Sequence, residues 1–589
     1  MSHFKPKLVN DPSEVADELF DGLIAASNGR CYKVGVRSIV KNDIADGKVA
    51  LLVGGGAGHE PIYHGLVGTN MADGAACGDI FAAPAPNIVH KAATAVDRDN
   101  GVLFLYGNYA GDVMNFDLGA ELAAAEGVNI QTVLIADDVA AAPPDRKQDR
   151  RGIAGLIPIV KIVAAASQTA ENLDELASTA RKACLQTRSI GAAMSPGSIP
   201  ATGQPTFELD DGLIGLGMGI HGEAGVRNIP MTTADELTPM MLDLLFEDFE
   251  NDAEVDALTA GDEILFFINS LGATTMMECL ICMRKATEYF QSKGIEIFDV
   301  IVGPLVTCQE MAGISFSITR VDDELKRHWS LPCQSVGYSK MAGPDPVDTL
   351  AASDHASSAK TTNTGARVIT TGAELELSKS SEGLTLAETR AMVLAVANAI
   401  IDAEPILSDA DRALGDGDHG VGMQRGFRAL IAAVEAGNPT ELRELYQIAG
   451  NALLTTMGGA SGVVFGLLFL VGGKTLHGAT HFGSHELSHL LNQALGDVMK
   501  RGGAKPGDKT MIDALAPAAA AAIASIEAPL SESIVAVASA ADAGKEASRD
   551  MIASMGRARV LGDRSLGLPD AGAISVSIIL ATMRDSIVS

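Results

Sequence analysis

The sequence predicts a multidomain protein in which an α/β part is followed by an all-α part. Up to about position 340, short β-type runs alternate with helical segments, an order typical of α/β folds. From position 385 onward, helix-period runs follow one another and β-type runs are scarce. The sequence between these parts is rich in Ser, Thr, Ala and Gly, a composition typical of linkers. The predicted domains are therefore residues 1–340 and 385–589, joined by a linker at 341–384.

The strands of the α/β part are predicted from apolar runs bounded by Gly, Asp or Asn. These runs are VALLVGGG, GVLFLYGNY, IQTVLIADD, EILFFINS and FDVIVG. Short apolar runs with such boundaries indicate buried strands. The segments AELAAAEG and TTMMECLICMRKATEYFQSKG lie between them and are predicted to be helices.

The all-α part begins with a clear helix start. Thr385 is followed three positions later by Glu388, which is a capping box in front of an apolar periodic run. Pro405 is expected to end that helix, because proline lacks an amide hydrogen and clashes with the preceding turn. Later stretches such as APAAAAAIASIEA are Ala-rich and amphipathic, and they predict further helices.

Composition argues against several classes of partner. The chain has 74 acidic and 44 basic residues and a net charge of −30, which repels nucleic acid and anionic lipid. Its seven cysteines are odd in number and widely spread, as expected of free thiols in a reducing compartment. The N-terminus lacks the apolar core of a signal peptide, and the most apolar run, Gly462–Gly473, is too short to span a bilayer. We therefore expect a cytoplasmic protein without a nucleic-acid or membrane partner.

The most informative motif is an aspartate cluster, DRALGDGDHG, at positions 411–420. Asp411, Asp416 and Asp418 do not fall on one helical face, but a loop would bring them together. Converging carboxylates repel one another, and oxygen ligands without soft donors suit Mg²⁺ or Ca²⁺. The spacing alone fits a solvated acidic loop as well as a metal site. The surrounding glycines favour phosphate and metal.

Two histidines stand in glycine-rich loops of the α/β part. LLVGGGAGHEP is a predicted strand that runs into a loop with His59, and GLGMGIHGEAG presents His221. A lone histidine after a strand is more often structural than functional. Two such histidines, together with Asp112 in GNYAGD, favour a functional site.

These motifs resemble those of the dihydroxyacetone kinase family. GGGAGHEP, GNYAGDVMNF, RRGIAG, GMGIHGE and FSITR resemble the sugar-binding domain of that family. Asp411 with GDGDHG, MGGASG, GGAKPGDKTM and GRARVLGDRS resemble its nucleotide-binding domain. The resemblance covers nearly the whole chain outside the linker. It implies a sugar-binding part of two α/β subdomains, a C-terminal antiparallel helical barrel, and a homodimer that uses ATP and Mg²⁺ to phosphorylate a small ketose.

For the sugar, the resemblance implies that the imidazole of His221 adds to the ketone carbon and forms a covalent hemiaminal. A neutral imidazole is nucleophilic enough for this step near pH 7. Asp112 and His59 are implied to orient the substrate hydroxyl and to take its proton. Close approach of the backbone to the sugar is implied at three neighbouring positions, Gly56, Ala57 and Gly58.

For the nucleotide, the resemblance implies that Asp411, Asp416 and Asp418 hold Mg²⁺ against the ATP phosphates. Metal charge is what a loose phosphoryl-transfer transition state requires. The GGAKPGDKTM segment is implied to be a lid. The residues implied to line the nucleotide site are His419, Gly420, Val421, Gly422, Ala460, Ser461, Gly502, Met511, Arg557, Asp570, Ala571 and Gly572.

One departure from the family pattern bears on the substrate. The family has Lys-Asn-Tyr where this chain has Gly107-Asn108-Tyr109, and that lysine contacts the substrate in the family. The glycine is expected to remove a donor and to open space for an additional CH₂OH group. A four-carbon ketose such as erythrulose is therefore a candidate beside dihydroxyacetone, with Gly107 in the substrate site.

Two alternative functions stay open from the sequence. Some family members also split FAD into AMP and a cyclic flavin phosphate with the same nucleotide domain. A non-catalytic sensor that binds sugar and nucleotide is the other alternative. A sensor would tolerate loss of the aspartates or of His221, and both are present here, which favours the kinase.

Overall fold

The computed structural model describes residues 7–223, 225–341, 383–414, 417 and 419–588, with the side chains at 472, 557 and 560 left out. Most of the predicted linker lies outside the described residues, so its nature stays a prediction. Asp416 and Asp418 of the aspartate cluster also lie outside them.

The first α/β subdomain contains a six-stranded sheet of strand order β1-β2-β5-β3-β6-β7. β3, β5, β6 and β7 are parallel, and β1 and β2 form an antiparallel edge. The central strands are buried and apolar because helices cover both faces of the sheet. Its elements are α1 (Val15–Ala26), β1 (Cys31–Val34), β2 (Ser38–Lys41), β3 (Ala50–Ala57), β4 (Gly68–Thr69), β5 (Gly74–Ile80), α2 (Pro86–Val96), β6 (Val102–Gly107), α3 (Ala110–Ala125), β7 (Ile130–Ile135), α4 (Leu156–Ala166) and α5 (Leu173–Leu185).

The second α/β subdomain contains another six-stranded sheet, of order β10-β9-β8-β13-β11-β12. Only β11 and β12 pair in parallel there, and the other pairs are antiparallel. A small third sheet joins β4 of the first subdomain to β14 and β15. The elements are β8 (Thr187–Ser195), β9 (Leu213–Leu216), β10 (Arg227–Pro230), α6 (Ala234–Asn251), β11 (Glu263–Ser270), α7 (Met276–Lys293), β12 (Glu296–Gly303), β13 (Ala312–Arg320), α8 (Asp323–Ser330), β14 (Cys333–Ser335) and β15 (Ser339–Lys340).

The C-terminal part is helical and has its own apolar core. The capping box predicted at its start is present, because Thr385 and Glu388 bond each other's backbone amides. Its helices are α9 (Leu386–Asp402), α10 (Glu404–Leu414), α11 (His419–Gly437), α12 (Leu442–Thr456), α13 (Gly459–Thr475), α14 (Ser484–Gly502), α15 (Ile512–Ala524), α16 (Leu530–Ala547) and α17 (Ala571–Val588).

The predicted fold class of two α/β subdomains and an all-α part is confirmed, and the five predicted strands are β3, β6, β7, β11 and β12. One local prediction was wrong. Asp411 does not lie in a glycine-rich turn but in the last turn of α10. This helix starts directly after α9, with a bend of 57°, because Pro405 ends α9 yet is tolerated in the first turn of the next helix.

Among the described residues, one single helix, α17, is long and apolar enough to cross a membrane by length and composition. The bent pair α9–α10 passes the same test only when its two helices are counted as one span. A buried core helix passes the same test. The side chains of Val576, Ile579 and Leu580 on α17 are part of the helical core.

Candidate active site

The two histidine loops meet between the α/β subdomains. His59 follows β3 of the first sheet, and His221 lies in the loop between β9 and β10 of the second sheet. Their Nε2 atoms are 3.0 Å apart, and both side chains are buried. The tertiary structure thus joins two motifs that are 162 positions apart in the sequence.

Backbone contacts of the loop that carries His59 explain its glycines. A Cβ atom at Gly56 would lie 2.9 Å from the Ala82 nitrogen, and one at Gly58 would lie 2.8 Å from the Phe81 ring. Gly58 also has a φ of 100°, a conformation that other residues rarely adopt. The Phe81 ring in turn packs 4.9 Å from the His59 ring. The glycines therefore let the loop fold tightly around His59.

The other ring nitrogen of each histidine has an oxygen partner. His59 Nδ1 lies 2.6 Å from the carbonyl oxygen of Thr307, and His221 Nδ1 lies 3.0 Å from Glu223 Oε1. A backbone carbonyl and a carboxylate can only accept, so both Nδ1 atoms donate. Each neutral ring then presents a lone pair at Nε2, and the close Nε2 contact requires one proton between the two rings.

A buried chain of charges supports His221 from behind. Glu223 also accepts the backbone N–H of His221 at 2.8 Å, and its Oε2 lies 3.9 Å from Arg151 Nη1. The guanidinium of Arg151 donates to Asp138 at 2.6 and 2.9 Å. Burial by itself would lower the pKa of Arg151, but the carboxylates of Asp138 and Glu223 raise it above its ordinary value. The guanidinium is therefore a permanent cation beside Glu223.

Sequence reasoning did not assign Glu223, Arg151 or Thr307. Glu223 and Arg151 were available in the motifs GMGIHGE and RRGIAG, but nothing in their spacing shows that they touch His221. Thr307 acts through its carbonyl oxygen, which any residue supplies, so its side chain carries no signal.

Asp112 and Gly107 lie at the same sheet edge as the His59 loop. β3 and β6 are parallel neighbours, so the segments that follow them leave from the same edge. Asp112 is in the first turn of α3 directly after β6, and the Tyr109 ring packs 4.9 Å from the His221 ring. Tyr109 thus links the segment of Asp112 to the histidine pair.

The surroundings of Gly107 bear on the expected room for a longer ketose, which stays a prediction. A Cβ atom at Gly107 would lie 3.3 Å from the Tyr109 ring, 3.3 Å from the Tyr63 hydroxyl oxygen and 3.4 Å from the Gly152 carbonyl oxygen. Two tyrosines therefore occupy the region beside Gly107.

In the helical part, His419 is the residue that joins several of the predicted nucleotide-site positions. Its Nδ1 lies 2.9 Å from Ser461 Oγ, its Nε2 lies 2.9 Å from Ser575 Oγ, and its backbone N–H donates to Asp411 Oδ2 at 3.2 Å. Burial lowers the pKa of His419, against the opposing charge of Asp411. A neutral imidazole therefore ties α10, α11, α13 and α17 together at one point.

A second group of predicted nucleotide residues forms around Asp570. This carboxylate accepts the N–H of Ala573 at 2.8 Å in the first turn of α17, and Met511 lies beside Gly572. Burial raises the pKa of Asp570 to about 7, and the charge of Asp411 adds to the rise. Asp411 and Asp570 are thus close enough to repel each other.

The other predicted nucleotide residues are placed as follows. Gly420, Val421 and Gly422 are in the first turn of α11, Ala460 is in the first turn of α13, Gly502 ends α14, and Ala571 begins α17. The backbone of Arg557 begins a 3-10 segment that ends at Ser565, and its side chain lies outside the described atoms.

The described residues contain no group of three or more His, Cys, Asp or Glu side chains arranged to hold a metal ion. Since Asp416 and Asp418 fall outside them, the predicted set of three carboxylates stays a prediction. The donors that are described, Asp411 and Asp570, are carboxylates that repel each other at a buried position. This chemistry fits a hard divalent cation such as Mg²⁺.

A zinc-like sequence pattern in α14 has a structural explanation. His485, Glu486 and His489 spell H-E-x-x-H, a pattern of zinc proteases. Glu486 is buried, and its carboxylate accepts the N–H of Gly483 at 3.0 Å, so it caps the start of the helix. The glutamate of this pattern is therefore engaged as a helix cap.

The helical part contacts the first subdomain close to the histidine pair. Asn115 Nδ2 on α3 donates to the carbonyl oxygen of Gly459 at 2.8 Å. A Cβ atom at Gly111 would lie 3.2 Å from the Ala460 nitrogen. The N-termini of α3 and α13 thus meet, with Asp112 on one side and Ser461 on the other.

Comparison with known proteins shows two domain matches and full-length relatives. Residues 21–337 match the Dak1 domain, and residues 413–585 match the DAK2 domain. The chain is 34% identical over 585 residues to the L-erythrulose kinase of Pectobacterium atrosepticum, covering 97% of this chain and 95% of that one. It is 35% identical to the D-erythrulose kinase of Mycolicibacterium smegmatis, covering 99% and 98%.

A solved structure also resembles the whole chain. The dihydroxyacetone kinase from C. freundii in complex with AMP-PNP and Mg²⁺ has a TM-score of 0.50 at 28% identity, over 99% of each chain. The domain matches and the full-length relatives lead to one assignment. This chain belongs to the dihydroxyacetone kinase family, with a Dak1 domain followed by a DAK2 domain.

Proposed function

We propose that this protein is an ATP- and Mg²⁺-dependent kinase that phosphorylates a primary hydroxyl of a short-chain ketose, with a tetrulose such as erythrulose favoured over dihydroxyacetone. One observation carries the sugar side of this proposal. His59 and His221 face each other at 3.0 Å, and the Nδ1 atom of each has an oxygen acceptor. Full-length relatives named as erythrulose kinases support the kinase activity.

The histidine pair suits covalent capture of a ketone. His221, whose Nδ1–H is held by Glu223, is proposed to add to the carbonyl carbon through its Nε2 lone pair. As the N–C bond forms, the electron pair of the C=O bond moves to oxygen. His59 gives that oxygen the proton that the pair shared, so the products are a neutral His59 and a hemiaminal carbinol whose His221 ring carries the positive charge beside the Glu223 carboxylate. A polyol such as glycerol has no electrophilic carbon and is not captured.

Phosphoryl transfer needs a base for the substrate hydroxyl. Asp112 is proposed to take this proton. It lies in the first turn of α3, and a Cβ atom at its neighbour Gly111 would lie 3.2 Å from the Ala460 nitrogen in the first turn of α13. His59, which is neutral after capture, is proposed to hold the hydroxyl in place.

The nucleotide and its metal are proposed to bind where Asp411, His419, Ser461 and Asp570 converge. Mg²⁺ supplies charge that offsets the phosphate oxygens in the transition state. Asp411 would hold the metal, together with Asp416 and Asp418, which lie outside the described residues. The backbone amides at the start of α13 would donate to phosphate oxygens, as helix N-termini commonly do.

A ketose panel tests the proposal directly. Purified protein is given ATP, Mg²⁺ and dihydroxyacetone, L-erythrulose, D-erythrulose or a pentulose, and ADP release is followed in a coupled assay. We expect turnover that depends on both the ketose and Mg²⁺, with an erythrulose as the best substrate. Absence of ketose-dependent turnover with every member would refute the kinase. Dihydroxyacetone as the best substrate would refute only the tetrulose preference.

The remaining expectations stay predictions. They are the homodimer, the cytoplasmic location, the helical barrel and the cleavage of FAD. Family membership and the relatives' kinase names favour a catalytic role over a non-catalytic sensor.

A further inference from the structure

The segment that joins α12 to α13, residues 456–461 and called here the loop 456–461, contacts the sugar-binding part. Gly459 is held from both sides, because its N–H donates to the Ala83 carbonyl at 3.1 Å and its carbonyl accepts from Asn115 at 2.8 Å. A Cβ atom at Gly458 would lie 2.7 Å from the Ala83 oxygen. A side chain at position 458 would therefore collide with the sugar-binding part.

Arg425 on α11 organises this loop from the other side. Its Nε donates to the Thr456 carbonyl at 3.1 Å, and its Nη2 donates to the Met457 carbonyl at 2.8 Å. Its Nη1 forms an ion pair across the domain boundary with Asp79, at the end of β5. One guanidinium thus fixes the loop and joins it to the sugar-binding part.

The Asp79 carboxylate is itself well supported. Its Oδ2 lies 3.5 Å from Nη1 of Arg37, and Arg37 is held by Asp17 in turn at 2.8 and 3.1 Å. The side chains of Asp79 and Arg425 are 19% and 34% exposed. The pair is therefore partly shielded from solvent, where an ion pair is stronger than at an open surface.

Each end of this ion pair leads within a few residues to one of the two reacting sites. Asp79 is followed by Ile80 and Phe81, and the Phe81 ring packs against both His59 and His221, at 4.9 and 5.7 Å. Met457 begins the motif that ends at Ser461, whose hydroxyl bonds His419. The ion pair thus joins a segment that contacts the histidine pair to a segment that contacts His419.

We propose that Asp79 and Arg425 are positioning residues that set the distance between the bound nucleotide and the bound ketose. They touch neither substrate. They hold the loop 456–461 against the wall of the ketose site, so that the phosphoryl group and the sugar hydroxyl are in line. This inference rests on the proposed kinase function. Transfer is sensitive to such alignment, since a misplacement of about 1 Å can cost on the order of 100-fold in rate.

The test uses the full-length protein with Asp79→Asn, Arg425→Lys and the double variant. We measure kcat for ketose phosphate, the Kd values of the ketose and of Mg²⁺–AMP-PNP by calorimetry, and the ratio of ADP to ketose phosphate. Each single variant should lower kcat by at least about tenfold, leave both Kd values within about twofold, and raise the ratio above one as water replaces the sugar hydroxyl. The double variant should lose little more than either single variant, because both remove one interaction.

A matched control is available at the same domain boundary. Arg501 on α14 pairs with Glu121 on α3 at 2.9 Å, far along both helices from the loop 456–461. Glu121→Gln removes an interdomain ion pair in the same way and should leave kcat and the ADP ratio unchanged. An equal loss in Glu121→Gln and Asp79→Asn would overturn the proposal, since any interdomain charge would then suffice.

Other outcomes also decide the question. If Asp79→Asn and Arg425→Lys retain kcat within about twofold, or if their loss appears only as a weaker ketose Kd, the positioning role is wrong. A wild-type protein without ketose-dependent turnover would instead refute the proposed function. The thermal midpoints of the variants are compared with that of the wild type to detect unfolding. If Asp79→Asn proves unstable, Arg425→Lys tests the same ion pair with the charge retained.

Discussion

The Nε2 atoms of His59 and His221 face each other at 3.0 Å while both Nδ1 atoms are bonded to oxygen. The two rings come from different sheets, so this contact exists only when the two α/β subdomains are joined. In the proposed function this contact places the acid, His59, beside the nucleophile, His221. Covalent capture of a ketone requires both groups.

Replacing the nucleophile should abolish ketose capture. We expect His221→Ala to lower kcat/KM for the ketose by at least about 100-fold, because no nitrogen remains to bond the carbonyl carbon. The affinity for Mg²⁺–AMP-PNP should not change. Calorimetry with each ligand checks both parts, and a His221→Ala protein that still binds the ketose with wild-type affinity would contradict covalent capture.

The tautomer of His221 should depend on Glu223. In Glu223→Gln an amide can turn its N–H₂ group toward Nδ1, which places the ring proton on Nε2 and removes the lone pair there. We expect kcat/KM to fall by about 10- to 100-fold, with the nucleotide Kd unchanged. Glu223→Asp should retain more activity than Glu223→Gln. If Glu223→Gln is as active as the wild type at every pH, Glu223 does not set the tautomer.

Substrate length should respond to position 107. Gly107→Ala adds a methyl group that lies 3.3 Å from Tyr109 and from the Tyr63 oxygen. We expect kcat/KM to fall for erythrulose by about tenfold and for dihydroxyacetone by less, because the larger ketose needs this side of the site. Parallel assays with both ketoses measure the ratio. The control is Gly22→Ala on α1, where a Cβ atom meets nothing within 4 Å, and an unchanged ratio in Gly107→Ala would exclude position 107 from substrate selection.

Metal-dependent nucleotide binding should depend on Asp411. Asp411→Asn removes a charged oxygen ligand, and we expect AMP-PNP affinity in the presence of Mg²⁺ to fall by at least about tenfold. Asp409 lies on the same helix, has a side chain that is 74% exposed and pairs with Arg412. Asp409→Asn should therefore bind as the wild type does. Equal binding by Asp411→Asn and wild type over a Mg²⁺ titration would remove Asp411 from the metal site.

Stability should change with pH through Lys161, which is fully buried in α4 and donates to the His328 carbonyl at 3.0 Å. Burial lowers the pKa of Lys161 from 10.5 to about 8. Below that pH the folded protein carries a buried charge. Between about 8 and 10.5 the folded state releases its proton while the unfolded state keeps it, so the free energy of unfolding rises with pH.

Lys161→Met should therefore be more stable than the wild type near pH 7, and this advantage should shrink as the pH rises from about 8 to 10.5. Urea denaturation at several pH values measures the difference between the two proteins. Lys500→Met on α14, at an exposed position, is the control and should show no such trend. A stability difference that stays constant across this range would show that Lys161 does not titrate there.

Much of the fold followed from local patterns in the sequence. Buried parallel strands such as β3 and β6 are continuous apolar runs. The start of α9 is indicated by the capping box of Thr385 and Glu388. The turn expected at Asp411 was wrong, because the sequence does not show that a new helix starts at Glu404, directly before Pro405. Propensity marks where a helix stops but not whether the next one starts at once.

For the candidate site too, the sequence predicted some features and the tertiary structure decided others. The sequence by itself determined which residue types carry the chemistry, since His59, His221, Asp112 and Asp411 stand in glycine-rich motifs whose composition is local. Only the tertiary structure decided that His59 and His221 touch, that Glu223 orients His221, and that Asp79 joins Arg425. Two of these contacts, His59–His221 and Asp79–Arg425, join different sheets or domains, and the third joins two residues of one loop through its fold. Their distances depend on how sheets and helices pack, which no local pattern of side chains encodes.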